Sequence, residues 1–114
     1  MTTAFTKFFH FSASHARGEK IKGHNYVLGV TIDPLEEEKE TAFQKKVEAV
    51  LIKKLDSRDL GTDVDFLKNV EINDLNLLRI FWDLLAVQLP PARLRALSLE
   101  RDKRPHTAFS PDSA

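Results

Sequence analysis

Cysteine is absent from this chain of 114 residues, and its positive and negative charges are equal in number. Without cysteine the chain forms no disulfide and has no thiol nucleophile. Because 17 Lys and Arg balance 17 Asp and Glu, no overall field attracts it to nucleic acid or to an anionic membrane. It has no apolar run long enough to span a bilayer and no signal-type apolar core near the N-terminus. We therefore expect a cytoplasmic protein with no nucleic-acid or membrane partner.

The chain length predicts a single domain over residues 1–114. The pattern of apolar residues predicts the order β-β-α-α-β-β, which is an α+β fold. The first helix starts with the acidic run Glu36–Glu38, and its apolar stripe is Phe43, Val47, Val50, Leu51 and Leu55. The second begins at Asn73 or Asp74, both good caps, with the stripe Leu75, Leu78, Trp82, Leu85 and Leu89. The last two strands are predicted within 93–101 and 106–110.

Two histidines stand out in the first two predicted strands. His15 ends the apolar phase of the first strand, and His24 opens that of the second. Side chains alternate between the two faces of a strand, so both imidazoles belong to the inward face. If the strands form an antiparallel hairpin, the rings meet at its end. Such a pair supplies half of a metal site, although a partly buried, hydrogen-bonded histidine is the commoner role for this position.

The segments around these histidines resemble a known family. Phe11-Ser-Ala-Ser-His15, followed by Gly23-His-Asn-Tyr26, is similar to the hairpin motif of the 6-pyruvoyltetrahydropterin synthase family, which includes the bacterial 6-carboxytetrahydropterin synthases. Leu55-Asp-Ser-Arg-Asp-Leu60 resembles the family's Leu-Asp-His-x-x-Leu segment. Glu100 resembles the glutamate that anchors the pterin ring. The resemblance runs in order over about residues 5 to 109.

The resemblance implies a T-fold: a four-stranded antiparallel sheet with two helices packed on one face. Family members join their sheets into barrels, and their sites lie at subunit interfaces. We therefore expect self-association, as a trimer or hexamer, and a pterin-like small molecule as ligand. The long, phenylalanine-rich first strand independently favours association, because an open edge of that kind is usually covered or paired.

Several family residues are replaced in this chain. Lys22 stands where the family has another zinc-binding histidine, and Ser57 stands where it has the histidine of the Leu-Asp-His segment. The family's catalytic thiol would fall near Gly18, and the chain has no cysteine. His15 and His24 are thus the remaining metal ligands, and the zinc ligand set expected from the resemblance is incomplete.

Glu19 and Asp56 are the candidate catalytic residues, and Lys22 and Glu100 are the candidate ligand-binding residues. Glu19 could supply a third zinc ligand or replace the thiol as base, or it could be an exposed loop residue. Lys22 could place its ammonium where the third ligand belongs and bind a ligand oxygen directly, or it could extend into water. Asp56 could orient a neighbouring group, although turn capping is favoured. Glu100 could accept two N–H bonds from a pterin ring, or it could be a surface residue paired with Arg101 or Lys103.

Two hypotheses about function remain. In the first, the chain is a divergent member of the family that binds a pterin-type ligand, with metal-dependent lyase activity on a dihydropterin side chain. In the second, it is a non-catalytic T-fold paralogue that acts as a binding or assembly protein. The missing thiol and histidines favour the second hypothesis, whereas His15, His24 and Glu100 favour the first.

Replacing Lys22 by histidine tests whether this position disabled the metal site. We expect Lys22→His to restore tight zinc binding, because it supplies a third imidazole in place of a cation. Isothermal calorimetry with zinc measures the change. An affinity equal to that of the unaltered chain would contradict the prediction.

Overall fold

A five-stranded sheet organises the chain. The computed structural model describes residues 5–17, 20–33, 37–88, 93–103 and 107–110. The strands are β1 (Phe5–Arg17), β2 (Lys20–Ile32), β3 (Arg58–Asp59), β4 (Leu94–Arg101) and β5 (Thr107–Phe109). Their order is β3-β1-β2-β4-β5. All neighbours are antiparallel except β3, which runs parallel to β1.

The described residues include two longer helical segments and a short 3₁₀ turn, Asp65–Leu67. The first joins α1 (Glu37–Val47) through a π-helical turn (Glu48–Ile52) to α2 (Lys53–Leu55), and the second is α3 (Asp74–Gln88). Buried residues of the first segment recur every fourth position, at Val47, Leu51 and Leu55. In a pure α-helix such residues drift around the axis by about 40° per step. The wider π-helical turn offsets that drift and keeps the three side chains on the core.

The β1–β2 hairpin is longer than the sequence suggested. Pairing runs without interruption from Phe5 opposite Ile32 to Arg17 opposite Lys20. The prediction that β1 ends at His15 and β2 starts at His24 was wrong. The ladder continues past both histidines, because each added pair satisfies more backbone donors and acceptors. Both histidines therefore lie inside strands rather than at their ends.

The hydrophobic core occupies one face of the sheet. β1 contributes Phe9, Phe11 and Ala13, β2 contributes Tyr26, Leu28, Val30 and Ile32, and β4 contributes Leu97 and Leu99. The helical segments cover this face, and Phe43 of α1 makes edge-to-face contacts with Phe5 and Phe9. The predicted placement of the helices on one face is confirmed.

The apolar stripe of α3 differs in phase from the predicted one. Asn73 caps the helix as expected, because its Oδ1 accepts the Asn76 N–H at 2.9 Å. The buried residues are Leu77, Leu78, Phe81 and Leu85, whereas Leu75 is 42% exposed. Trp82 is half-buried and lies edge-on to Phe109. Leucines occupy both sides of this helix, so the sequence pattern alone could not fix which side meets the sheet; Leu89 lies outside the described residues.

The prediction of four strands was wrong because it missed β3. This two-residue strand pairs with Ala13 and Ser14 of β1. Ser57, just before it, has a left-handed φ of 61° and donates its N–H to Ser12 O at 2.6 Å. So short a strand has no alternation that a sequence pattern could reveal.

The other face of the sheet carries no described helix. Phe8 is 57% exposed there, on the same side of β1 as Thr6, His10 and Ser12, which are also exposed. On β4, Leu97 and Leu99 face the core, so Glu100 belongs to this uncovered face. Within the described part of the chain, no helix has the length and apolar character needed to cross a membrane.

Two leucines of α3 test the corrected stripe. Leu77→Ala should lower the free energy of unfolding by about 2–5 kcal/mol, because it leaves a cavity under a fully buried side chain. Leu75→Ala, a matched change in the same helix, should cost about 1 kcal/mol or less. Urea unfolding followed by circular dichroism measures both. Equal losses would contradict the assigned phase.

Candidate functional site

The candidate site lies around His15 and His24, in the part of the β1–β2 hairpin that leads to the last pair, Arg17 and Lys20. In the antiparallel register, His24 is opposite Ala13 and His15 is opposite Lys22. Directly paired residues share a face, and His15 is two residues from Ala13. The two histidines are therefore diagonal neighbours on one face, a relation that places residues about 7–8 Å apart. Their predicted placement on a common face agrees with this register.

His24 has a carboxylate partner that sequence analysis did not identify. Its Nδ1 lies 2.6 Å from Oδ2 of Asp102, which directly follows β4. The other carboxylate oxygen, Oδ1, accepts the backbone N–H of Asn25 at 2.9 Å. Asp102 also donates its own N–H to Asn25 O at 2.8 Å. Three hydrogen bonds thus join Asp102 to two consecutive residues of β2.

These contacts stabilise the ionised form of Asp102. The Asn25 N–H, followed by the His24 imidazole, holds the pKa of the Asp102 carboxyl below its usual value. No sequence pattern marks this contact. Finding it required the β2–β4 register, in which Arg101 pairs with Tyr26.

The buried ring of Tyr26 packs against the His24 ring. It is 2% exposed and stacks on Phe11 with ring centroids 4.9 Å apart. The His24 ring meets it edge-on, with centroids 6.0 Å apart. Burial raises the pKa of Tyr26, although the positive charge of Arg101 and a hydrogen bond with it act in the opposite direction. The phenol therefore stays neutral and contributes packing beneath the imidazole.

Asp56 fastens the segment before β3 to the edge of β1. Its Oδ1 accepts the Ser12 N–H at 2.9 Å. The N–H of the next residue, Ser57, donates to the backbone oxygen of Ser12. The bond between Asp56 and Ser12 joins two segments that are distant in the sequence, whereas the sequence favoured the capping of a local turn. Asp56 as a catalytic residue stays a prediction.

Asp59 organises the turn after β3. Its Oδ2 accepts the Ser14 hydroxyl at 3.0 Å, and its Oδ1 accepts the N–H groups of Gly61 and Thr62. Desolvation raises the pKa of Asp59, but the hydrogen bonds from Ser14, Gly61 and Thr62 outweigh it and hold the pKa below its usual value. The bond from the Ser14 hydroxyl therefore holds this turn against β1.

A depression of about 300 Å³ lies where the hairpin meets β3. Its lining joins the hairpin motif to the segment around β3: Ser12, Ala13, Ser14, Gly23, His24, Asn25, Ser57 and Arg58. The fold thus brings together the hairpin motif and the segment Leu55–Leu60, although Leu55 comes 31 positions after His24 in the sequence.

Glu100 is on the opposite face of the sheet from His24. Its register partner is Val27, whereas His24, Tyr26 and Leu28 occupy the core-facing phase of β2. It lines a second depression of about 300 Å³ with Thr6, Phe8, Val27, Thr31 and Ser98. One copy of the chain therefore does not bring Glu100 and His24 to a common cavity.

The described residues do not fit a complete zinc site. Within residues 5–17, 20–33, 37–88, 93–103 and 107–110, no three His, Asp or Glu side chains come together as metal ligands. One ring nitrogen of His24 is already bonded to Asp102. Glu19 lies outside the described residues, and Lys22 is described only through its backbone pairing. Their roles stay predictions.

Comparisons with known proteins bear on this arrangement. No family model matches the chain. A stretch of 78 residues is 30% identical to the 6-pyruvoyl tetrahydrobiopterin synthase of Drosophila melanogaster, covering 63% of this chain and 46% of that protein. The chain thus spans less than half of that curated relative. The solved structure of Caenorhabditis elegans 6-pyruvoyl tetrahydropterin synthase matches with a TM-score of 0.78 over 96% of both chains, at 20% identity.

The chain is thus similar in sequence, over part of its length, to a 6-pyruvoyl tetrahydrobiopterin synthase, and the solved structure shows a shared fold. The family resemblance read from the sequence is confirmed, and so is the α+β T-fold. That fold prediction is corrected in two respects: the sheet has a fifth strand, β3, and this strand runs parallel to β1.

The Asp59 turn predicts a specific acid sensitivity. Because the folded-state pKa of Asp59 is depressed, its stabilisation is present above the unfolded value of about 3.9 and is lost as pH falls through the folded value. Asp59→Asn should therefore lower the free energy of unfolding near neutral pH and differ progressively less from the unaltered chain below about pH 4.

Urea unfolding at a series of pH values measures this difference. Asp83→Asn, a change at an exposed position of α3, removes the same formal charge as a control. A stability difference for Asp59→Asn that does not shrink in acid would contradict the prediction.

Proposed function

We propose that this 6-pyruvoyl tetrahydropterin synthase-like protein binds a pterin-type small molecule at sites formed between copies of the chain. Two sources support the proposal. The chain is similar in sequence and fold to proteins named as 6-pyruvoyl tetrahydropterin synthases. It also keeps the carboxylate expected to anchor the ring.

The position of Glu100 is the observation that carries the proposal. Its side chain is half-buried at the side of a depression on the uncovered face. A carboxylate in such a place can accept two parallel N–H bonds from the amino-pyrimidine edge of a pterin. The exposed ring of Phe8 in the same depression offers an apolar surface for a planar heterocycle.

The two faces of the sheet explain why the site would be shared. A small ligand cannot contact Glu100 on one face and His24 on the other through a packed sheet. If both residues serve the same ligand, they come from different copies. The outer edge of β1 supports association, since β3 pairs only with Ala13 and Ser14 among the described residues and leaves the phenylalanine-rich part of the edge unpaired. We expect the trimer or hexamer predicted from the resemblance.

Zinc and lyase activity form the finer part of the proposal. His15 and His24 would supply two imidazoles for a metal, and zinc would add Lewis-acid chemistry if bound. The third ligand would be Glu19, a residue of a neighbouring subunit or water, and the candidates for the base are Glu19, if it is not a ligand, and Asp56. A lyase would turn over a dihydropterin side chain, whereas a binding or assembly protein would bind the same ring without turnover.

Neopterin, which is fluorescent, tests the binding part of the proposal. We expect the unaltered chain to bind it and Glu100→Gln to bind it about tenfold or more weakly, because a charge-assisted hydrogen-bond pair is lost. Glu71→Gln, an exposed position before α3, is the matched control.

The titration follows neopterin fluorescence, and light scattering on the same samples gives the number of subunits. No binding by the unaltered chain would contradict the proposal. Equal affinities for the unaltered chain and Glu100→Gln would show that Glu100 is not the anchor.

A further inference from the structure

Asp102 contacts His24 in a way that constrains the imidazole. The carboxylate divides its oxygens between two partners: Oδ1 accepts the Asn25 N–H at 2.9 Å, and Oδ2 lies 2.6 Å from His24 Nδ1. The first contact fixes the orientation of the carboxylate plane relative to β2. The second oxygen is then held against a single ring nitrogen of His24.

The backbone holds Asp102 in place for this contact. Asp102 and Lys103 both have left-handed φ values, of 52° and 64°, which turn the chain sharply after β4. This region disfavours most L side chains, with aspartate among the more tolerant. The Asp102 N–H also donates to Asn25 O at 2.8 Å. The residue is therefore positioned from both its backbone and its side chain.

The chemistry of the pair determines where the proton lies. An ionised carboxylate only accepts hydrogen bonds, so the bond at 2.6 Å requires Nδ1 of His24 to be the donor. An aspartate carboxyl is ionised near neutral pH. A neutral imidazole carries one N–H, and so Nε2 is left with a free lone pair.

We propose that Asp102 is the positioning residue of the site: it fixes the Nδ1–H tautomer and the ring orientation of His24, and makes Nε2 the nitrogen that meets a ligand atom. As a role in function, this rests on the proposed function above. The tautomer itself does not, because it depends only on contacts within the chain. Carboxylates that support a working histidine in this way are common in proteins.

Nitrogen-15 NMR of the histidine side chains measures the tautomer directly. At about pH 8.5, about two units above the pKa of an ordinary imidazole, we expect the unaltered protein to show His24 with Nδ1 protonated and Nε2 unprotonated. His24→Gln identifies the resonance. A predominant Nε2–H tautomer in the unaltered protein would overturn the proposal without any variant of Asp102.

Asp102→Asn then tests the cause. The carboxamide keeps an oxygen for the Asn25 N–H but can offer an N–H to His24, which favours the opposite tautomer. We expect the ratio of Nδ1–H to Nε2–H to fall by about tenfold or more, the size of a lost hydrogen bond to a charged group. Asp33→Asn is the matched control, because Asp33 is also 39% exposed and also ion-paired, with Arg95. An unchanged ratio in a folded Asp102→Asn protein would overturn the proposal.

Ligand binding separates this inference from the proposed function. If neopterin binds the unaltered protein through His24, Asp102→Asn should weaken binding about 10- to 100-fold, as for other residues that support a functional histidine, and Asp33→Asn should not. Weakened binding would support the positioning role, and full affinity despite a changed tautomer would overturn it. Should neopterin not bind at all, the proposed function fails, while the NMR result still decides whether Asp102 sets the tautomer.

Discussion

The register of the β1–β2 hairpin is the constraint on which the rest of the structure depends. Both strands are 13 residues long and pair along their whole length. A slip of one residue would move every side chain of one strand to the other face. It would expose Phe9 and Phe11 and bury Ser12. Burial of the apolar phase therefore fixes the register, and the register in turn fixes which residues face His15 and His24.

The same alternation separates the two candidate binding regions. The core-facing phase carries His24 and Tyr26, and the uncovered phase carries Val27 with its partner Glu100. Helical segments cover the core residues of the first face, and His15 and His24 on that face are only partly buried. The second face keeps its exposed Phe8 and a depression of about 300 Å³. A function that needs both regions leads directly to a site shared between chains.

Contacts between distant segments complete the region around His24. Asp56, Ser57 and Asp59 fasten the β3 segment to Ser12 and Ser14. Asp102, 78 residues after His24 in the sequence, supplies its carboxylate partner. Each contact joins a strand of the hairpin to a turn. The turn before β3 contains Ser57 and the turn after β4 contains Asp102, and both residues have a positive φ. The hydrogen bonds at these turns offset the cost of that backbone conformation, which is about 1–2 kcal/mol per residue.

The sequence by itself determined the two long strands, the two helical segments, the face shared by His15 and His24, and the family resemblance. These follow from local periodicity and from short motifs, which require no knowledge of distant contacts. Only the tertiary structure decided the orientation of α3, the strand β3, the true extent of the hairpin and the opposite faces of His24 and Glu100. It also revealed Asp102, which no motif marked. The physical reason is the same in each case: the role is set by the strand against which the element or residue packs or pairs. This holds for a helix with leucines on two sides, for a two-residue strand and for a lone aspartate.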